Sequence, residues 1–241
     1  MSGDRIARIL AQFRSGADAV PATARLCEVC AEVSLMSGAG IMLMSGDLPV
    51  GSACTTNDVS ALIEELQFTL GEGPCVDAFH EDWPVLEPDL ADPITSRWPA
   101  FGPPALAAGA RAVFGFPLRV GAVRLGALNL YRDRPGPLTD DQYEDALLLA
   151  GVAAWAVLAA QANAPPGGLA AELEAAADLR LSVHQATGMV SAQLGVSIAA
   201  ALIRLRAYAF AIDRPISEVA DDVVSRRLTL DDRSGDHQPS P

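Results

Sequence analysis

The sequence predicts an α+β domain followed by a separate module of three helices. Two apolar runs, 112–120 and 123–132, are joined by Gly121-Ala122, a pattern typical of a β-hairpin. A proline- and glycine-rich segment at 163–168 interrupts the chain, and only helical periodicity follows it. We therefore expect an antiparallel sheet flanked by helices, then a linker, then helices alone.

The first domain is predicted to span residues 1–162. Before the hairpin, the predicted elements are a helix over 6–36 broken near Gly16 and Pro21, strands at 40–44 and 50–54, and a helix over 60–69. After the hairpin, Thr139 is placed to cap a long apolar helix, with Asp140 and Asp141 in its first turn. This helix is predicted to run to Ala162.

Beyond a linker at 163–172, apolar stripes predict three helices within 173–230. The stripes are Val183, Ala186, Val190 and Leu194, then Ile198, Leu202, Leu205, Ala209 and Ile212, then Val219, Val223 and Leu228. Ser197 is predicted to cap the second helix, and Pro215 follows its end. The polar tail at 231–241 is expected to be disordered.

The charge of the chain is unevenly distributed. The formal net charge is −13, and all 17 basic residues other than histidine are arginines. The absence of lysine excludes enzymes that need a P-loop lysine or a Schiff-base lysine. Residues 1–177 contain 10 arginines and 22 acids, whereas residues 178–233 contain 7 of each. The acidity therefore belongs to the first domain, and the second has the charge balance of a module with different partners.

The chain start and the apolar segments predict a cytoplasmic protein without a membrane partner. Residues 1–13 contain Asp4, Arg5 and Arg8 and lack the apolar centre of a signal peptide. The longest apolar stretch, 146–160, is shorter than the ~20 residues of a spanning helix.

Three motifs occur in order in the first domain. They are Leu70-Gly71-Glu72-Gly73-Pro74-Cys75, Arg97-Trp98-Pro99, and Phe116-Pro117-Leu118 followed by Leu125-Gly126-Ala127-Leu128-Asn129-Leu130-Tyr131. With them, residues 20–160 resemble a GAF domain, a six-stranded sensory fold. The resemblance implies an unknown small-molecule or redox signal, and the candidate pocket residues are Cys75, Phe79, Trp98, Phe114 and Phe116. The cofactor is unknown, and no metal site is expected.

Three further motifs occur in the second module. They are His184-Gln185-Ala186-Thr187-Gly188-Met189-Val190, Ala201-Leu202-Ile203-Arg204-Leu205-Arg206-Ala207-Tyr208-Ala209, and Val219-Ala220 with Val223-Val224. In this spacing they resemble an ANTAR domain, the three-helix RNA-binding output of transcription antiterminators. The candidate RNA-binding residues are His184, Thr187, Gly188, Arg204, Arg206, Tyr208 and Arg214. Thr187 stands where many ANTAR domains have lysine.

The residues themselves suggest how such a module would bind RNA. Arg204 and Tyr208 are one helical turn apart, and this pairing suits a guanidinium on a phosphate beside a ring stacked on an unpaired base. Gly188 in mid-helix costs about 1 kcal/mol relative to alanine, so we expect either a close helix crossing or the approach of a ligand. A homodimer on paired stem-loops of nascent mRNA is expected, with the helix ending at Ala162 and residues 169–177 as candidate dimer contacts.

The four cysteines are expected to be small buried core residues. Cys27 and Cys30 form a CxxC pair inside a predicted helix, and Cys75 is placed near a possible helix start. Two alternatives to a non-enzymatic RNA-binding regulator stay open. One is a DNA-binding regulator, because residues 216–224 could begin a helix-turn-helix. The other is a free methionine sulfoxide reductase that uses Cys54 and Cys75.

Overall fold

The computed structural model describes residues 22–46, 48–92, 97–162, 181–212 and 214–230. The chain divides into two compact units, Met1–Ala177 and Asp178–Pro241, which are described separately. The predicted helix before residue 22, the whole predicted linker at 163–172, the candidate dimer contacts at 169–177 and the predicted tail lie outside the described residues.

The first unit contains five strands and five helices among its described residues. In chain order they are α1 (Ala22–Ser34), β1 (Gly38–Ser45), β2 (Leu48–Thr55), α2 (Asp58–Leu70), α3 (Pro74–Glu81), β3 (Val85–Glu87), α4 (Gly102–Ala107), β4 (Ala112–Val120), β5 (Val123–Arg132) and α5 (Asp140–Ala162). The predicted strands and hairpin are confirmed. The elements α3, β3 and α4 were not predicted because each is short and begins next to proline or glycine.

Helices α1, α2, α3 and α5 pack on the two faces of one antiparallel sheet, whose strand order is β2-β1-β5-β4-β3, and α4 contacts α2. The sheet has five strands in the described residues, one fewer than the six expected of a GAF domain. The hairpin of β4 and β5 turns at Gly121, whose φ of 59° is a left-handed conformation that glycine adopts without strain. In the middle of the sheet, Asn129 on β5 lies between Gly40 on β1 and Gly115 on β4.

Among the described residues, strand β2 is one edge of the sheet and pairs with β1 alone. Its pairing contains two register shifts, next to Ile41 and next to Leu43. It also contains Pro49, a residue that sheets accept mainly at edges because it has no N–H to donate. The edge is therefore irregular along much of its length.

One face of the sheet carries α1 and α5, and the main hydrophobic core lies between them. Large buried members from the sheet include Phe114, Phe116, Leu128 and Leu130. The opposite face carries α2 and α3. Because side chains alternate along a strand, Ala127, Asn129 and Tyr131 of β5 point to this second face. The Tyr131 hydroxyl accordingly donates to Asn57 Oδ1 at the start of α2, at 3.0 Å.

The long helix α5 begins as predicted. The Thr139 hydroxyl accepts from the Gln142 N–H at 3.2 Å, and the Gln142 side chain accepts from the Thr139 N–H at 3.1 Å, which is a capping box. By length and composition α5 could span a membrane, as core helices of globular domains also can. One side of it is buried in the domain core, whereas Leu147, Gly151 and Trp155 are exposed on another.

The second unit contains three helices in its described residues, α6 (Leu181–Leu194), α7 (Ile198–Ala211) and α8 (Ile216–Val224). Ser197 caps α7 as predicted, with its side chain accepting from the Ala200 N–H at 3.2 Å. Most of the predicted apolar stripe residues are buried where the three helices meet. Four are not buried, because they lie at or beyond helix ends: Leu194, Ile198, Ile212 and Leu228.

Candidate functional site

A group of buried polar side chains lies between the sheet and the helices α2 and α3. It consists of Glu64 and Gln67 on α2, Cys75 on α3 and Asn129 on β5, all buried. A β-carbon added at Gly40 would lie 2.7 Å from Glu64 Oε1, and one at Gly115 would collide with the Pro74 carbonyl. The two glycines beside Asn129 thus let both helices approach the sheet closely.

Gln67 holds the start of α3 against α2. Its Oε1 accepts from the Cys75 N–H at 2.7 Å, which satisfies one of the N–H groups left open at a helix start. Among the described residues, Gln67 Nε2 and Asn129 Oδ1 have no hydrogen-bond partner. The protein itself therefore leaves a buried donor and a buried acceptor unsatisfied on this face.

Cys75 lies in this group as a neutral thiol. Burial raises its pKa well above the ordinary value, the negative charge of Glu64 raises it further, and the hydrogen bond with Gln67 opposes both. Its position at the start of α3 would favour a thiolate, but burial outweighs this effect. Cys75 is accordingly unsuited to act as a nucleophile.

The motif Arg97-Trp98-Pro99 fastens a loop to α3. The Trp98 indole N–H donates to Asp77 Oδ2 at 2.9 Å, and Arg97 pairs with the same carboxylate at 3.2 Å. Glu72 Oε1 accepts from the N–H groups of Ala100 and Phe101, at 2.6 and 2.8 Å. These contacts give the motif a structural role beside the buried polar group.

The five predicted pocket residues lie on two faces of the sheet. Cys75 and Phe79 are on α3, and Trp98 is tied to α3 through Asp77. Phe114 and Phe116 instead belong to the core on the other face, where Phe116 contacts the ring of Tyr143 at 5.8 Å between centroids. The prediction that all five line one pocket is therefore wrong, since alternation along β4 points its even-numbered residues away from α3.

Sequence patterns did not single out Glu64, Gln67 or Asn129. Asn129 carried a usable signal, because it is a polar residue inside the otherwise apolar run of β5. Glu64 and Gln67 are three residues apart on α2, and their polarity resembles that of any exposed helix face. Only the packing of α2 on the sheet shows that they are buried.

The expectation of four free core cysteines is wrong for two of them. Cys27 on α1 and Cys54 on β2 form a disulfide, whereas Cys30 and Cys75 are free and buried. Cys54 belongs to the core under α1, on the face opposite Cys75. The two cysteines considered for a sulfoxide reductase are thus on different faces of the sheet, and one of them is already bonded.

In the second unit, the first motif lies on α6. Thr187 is 2% exposed, and its hydroxyl donates to the Val183 carbonyl at 2.6 Å. This burial removes Thr187 from the predicted RNA-binding surface. A β-carbon at Gly188 would have no atom within 4 Å, so close helix packing does not explain this glycine. His184 is half-buried.

The exposed surface of α7 combines arginine with apolar residues. Arg204 is exposed, and Tyr208, one turn further on, is half-buried. Ile203 and Phe210 are 64% and 66% exposed and, being seven residues apart, lie on one side of the helix. Arg206 is half-buried, and this burial lowers the pKa of its guanidinium to about 10, so it remains charged at neutral pH.

Arg214 lies at the start of α8 and is engaged by acids of that helix. It contacts Glu218 at 3.2 Å and Asp222 at 2.9 Å, and Arg227 contacts Asp222 at 2.8 Å. These hydrogen bonds, that with Asp222 first, raise the pKa of Arg214. A phosphate would have to displace two carboxylates to reach it. Among the described residues no cluster of three or more acids, histidines or cysteines could hold a metal ion.

Comparison with known proteins concerns mainly the first unit. The structure of a GAF domain from a phosphoenolpyruvate-protein phosphotransferase of Coxiella burnetii is 16% identical, with a TM-score of 0.50, over 67% of this chain and 98% of that one. The GAF domain of an Acinetobacter phosphoenolpyruvate-protein phosphotransferase is 14% identical, with a TM-score of 0.49, over 66% and 94% of the two chains. No curated protein sequence matches the chain.

A free methionine-R-sulfoxide reductase of Neisseria meningitidis is 17% identical, with a TM-score of 0.43, over 62% of this chain and 84% of that one. At these identities the likeness concerns the fold alone. The sequence model of the GAF domain matches residues 22–159, more than half of the chain, and covers every strand of the sheet. The chain therefore belongs to the GAF domain family.

Proposed function

We propose that the chain is a signal-responsive, RNA-binding regulator of transcription antitermination, in which the GAF domain is the input and α6 to α8 are an ANTAR output. The GAF domain itself suggests a signal-sensing input. The observation that carries the proposal is the surface of α7, where the exposed Arg204 is followed one turn later by Tyr208, within a separate three-helix unit.

The surface proposed for RNA is narrower than the sequence motifs imply. Of the residues nominated from the sequence, Arg204, Tyr208, Arg206 and His184 belong to this surface, whereas the buried Thr187 does not. The exposed ring of Phe210 is a further member. Arginines supply contacts to phosphates, and the rings supply stacking for unpaired bases in a hairpin loop. The open space over Gly188 suits a backbone that another molecule approaches.

The proposed active form is a homodimer in the cytoplasm. Leu147, Gly151 and Trp155 lie one turn apart along the exposed side of α5. An exposed apolar strip of this kind favours the association of two protein chains. A second copy of the chain would cover the strip with its own α5. Two output modules would then be available for the paired stem-loops of a nascent mRNA.

The proposed input is a small polar molecule or a redox change, and no catalytic step is proposed. Gln67 Nε2 and Asn129 Oδ1 offer a donor and an acceptor on the face of the sheet under α2 and α3. The neutral, buried thiol of Cys75 supports a binding role over a catalytic one.

A gel-shift titration tests the RNA-binding function. The full chain is titrated against an RNA with two tandem hairpins, the same RNA with altered loop bases, and a duplex DNA of matched sequence. We expect binding to the first RNA and at least about tenfold weaker binding to the other two, since loop bases carry sequence recognition. Because residues 178–233 carry equal numbers of arginines and acids, we expect a shallow dependence on salt.

Paired variants separate the proposed surface from general charge. Arg204→Ala should weaken RNA binding about tenfold, whereas Arg119→Ala, which removes an exposed arginine of the GAF domain, should leave it unchanged. Equal binding to all three nucleic acids, preference for the duplex DNA, or equal effects of the two variants would contradict the proposal.

A further inference from the structure

The disulfide between Cys27 and Cys54 ties the first helix to the edge of the sheet. Cys27 lies in the second turn of α1, and Cys54 is next to the last residue of β2. Their Cα atoms are 5.9 Å apart, and 27 positions separate them along the chain. Since β2 is the edge strand of the described sheet, the bond joins α1 to that edge.

The domain does not have the features of a fold that needs a disulfide to be stable. Disulfides are characteristic of small secreted domains with little apolar core. Here both cysteines belong to an extensive core that α1, α5 and the sheet already share. Leu26 and Val29, on either side of Cys27, are themselves buried in that core. Apolar packing therefore holds α1 in place without the covalent bond.

The two free cysteines of the domain are not suited to exchange with this bond, so thiol–disulfide exchange with an external thiol is the reaction left to it. Cys30 is one turn beyond Cys27 on α1, and burial raises its pKa to about 12, so it stays protonated and does not exchange with the bond. Cys75 is on the opposite face of the sheet. Cys54 is 9% exposed and Cys27 is fully buried, so Cys54 is the more accessible residue of the pair for an external thiolate.

We propose that Cys27 and Cys54 form a reversible thiol–disulfide site through which the GAF domain responds to low-molecular-weight thiols and disulfides. The proposal rests on the proposed function in one respect. A regulator of nascent RNA works in the cytosol, where disulfides are transient and redox-sensing more often than structural.

The reaction is an ordinary exchange in two steps. A small thiolate attacks Cys54 Sγ, the bond to Cys27 breaks, and Cys27 leaves as a thiolate that takes up a proton. A second small thiolate attacks the mixed disulfide on Cys54, which releases the oxidised small disulfide and leaves Cys54 as a thiol. Two electrons pass from two small thiols to the protein, and the reverse sequence restores the bond.

Reduction removes the covalent link between α1 and β2 and leaves α1 held by packing alone. Because α1 also packs on α5, a loosened α1 weakens the support of one side of α5. α5 ends at Ala162, at the last described residue before the second unit. The bond is thus placed where a redox change would alter the helix that leads out of the GAF domain.

Counting thiols tests the site without any RNA. The full chain is equilibrated with glutathione at a series of reduced-to-oxidised ratios, quenched with acid, unfolded, labelled with a maleimide and weighed by mass spectrometry. We expect two labels per chain at oxidising ratios and four at ratios found in the cytosol, with Cys27 and Cys54 changing together. A bond that stays closed at cytosolic ratios, or four labels at every ratio, would overturn the proposal.

Hydrogen exchange of the α1 amides tests the structural consequence. In the reduced protein we expect exchange over Ala22–Ser34 to be roughly tenfold faster or more, and the double variant C27A/C54A should match it at every ratio. The controls Cys30→Ala and Cys75→Ala should each lose one label and keep the same transition. If α1 exchanges equally in both states, the site is not coupled to the fold as proposed. Because neither readout involves RNA, a failure here is distinct from a failure to bind RNA.

Discussion

Thr187 shows how a single buried hydroxyl changes the interpretation of a motif. Its position resembles that of a lysine in many ANTAR domains, yet its side chain is buried and bonded to the carbonyl of Val183. A helix-interior threonine can satisfy its hydroxyl in this way without any other partner. The residue therefore contributes to packing of the three-helix unit and not to its surface.

Thr187→Lys should destabilise the second unit and should not add an RNA contact. The longer, charged side chain cannot stay at a site that is 2% exposed without displacing its neighbours, so we expect a loss of about 2 kcal/mol or more in the free energy of unfolding. Thr187→Val is the matched control and should cost less than about 1 kcal/mol. Urea unfolding followed by circular dichroism measures both. A fully stable Thr187→Lys variant would contradict this assignment.

Cys30 should make the stability of the GAF domain depend on pH in the alkaline range. Its pKa is about 12 in the folded protein against 9.0 when unperturbed, so above pH 9 the unfolded chain releases a proton that the folded chain retains. The stabilisation is complete below pH 9 and is lost progressively as the pH rises towards 12. Unfolding at pH 8 to 10 should therefore show a steeper loss for the wild-type chain than for Cys30→Ala. Parallel curves would refute the prediction.

At the scale of elements, the strands and long helices could be predicted and the short connections could not. β4, β5 and α5 have strong periodicity and clear turn or cap residues, and their predicted bounds lie within a residue of the observed ones. α3, β3 and α4 are eight residues or shorter, and their positions depend on contacts with distant residues. The sequence analysis named Cys75 and Trp98 as candidate pocket residues together with Phe114 and Phe116, but it could not show that the two phenylalanines occupy the other face of the sheet.

Glu72 makes one of these distant contacts, with the backbone of Ala100 and Phe101 just before α4. Removing its carboxylate should loosen that segment. Its carboxylate accepts from two backbone N–H groups, so Glu72→Ala should lower the free energy of unfolding by about 2 kcal/mol. Glu72→Gln keeps an acceptor and should cost less. Glu32→Ala, at an exposed position of α1, should be nearly neutral. Thermal or urea unfolding distinguishes the three, and equal losses would show that the two hydrogen bonds contribute little.

At the scale of the whole molecule, the different charges of the two units explain why a protein with a net charge of −13 can be proposed to bind RNA. The excess of acidic residues is found in the sequence before residue 178, whereas the second unit begins at Asp178. Because Arg214 and Arg227 are paired with acids of the same unit, these two arginines could contact a phosphate only by giving up those ion pairs. One copy should thus bind weakly, and two copies are needed for firm binding.

The exposed side of α5 should control the association of two copies. Trp155→Glu places a charge in the apolar strip, and if two copies associate as proposed it should leave monomers without lowering the unfolding temperature of the GAF domain. Trp83→Glu is the matched control, because Trp83 is 67% exposed and Trp155 is 65% exposed. Light scattering after size-exclusion chromatography gives the mass of each. Dissociation by both variants, or by neither, would exclude α5 as the contact.

The irregular edge formed by β2 reduces the risk that sheets of two molecules pair edge to edge. A straight, unprotected edge strand can recruit the same strand from another molecule and extend the sheet without limit. Pro49 and the two register shifts make β2 a poor template for such growth. At high concentration this edge should therefore resist fibril-like polymerisation of the chain.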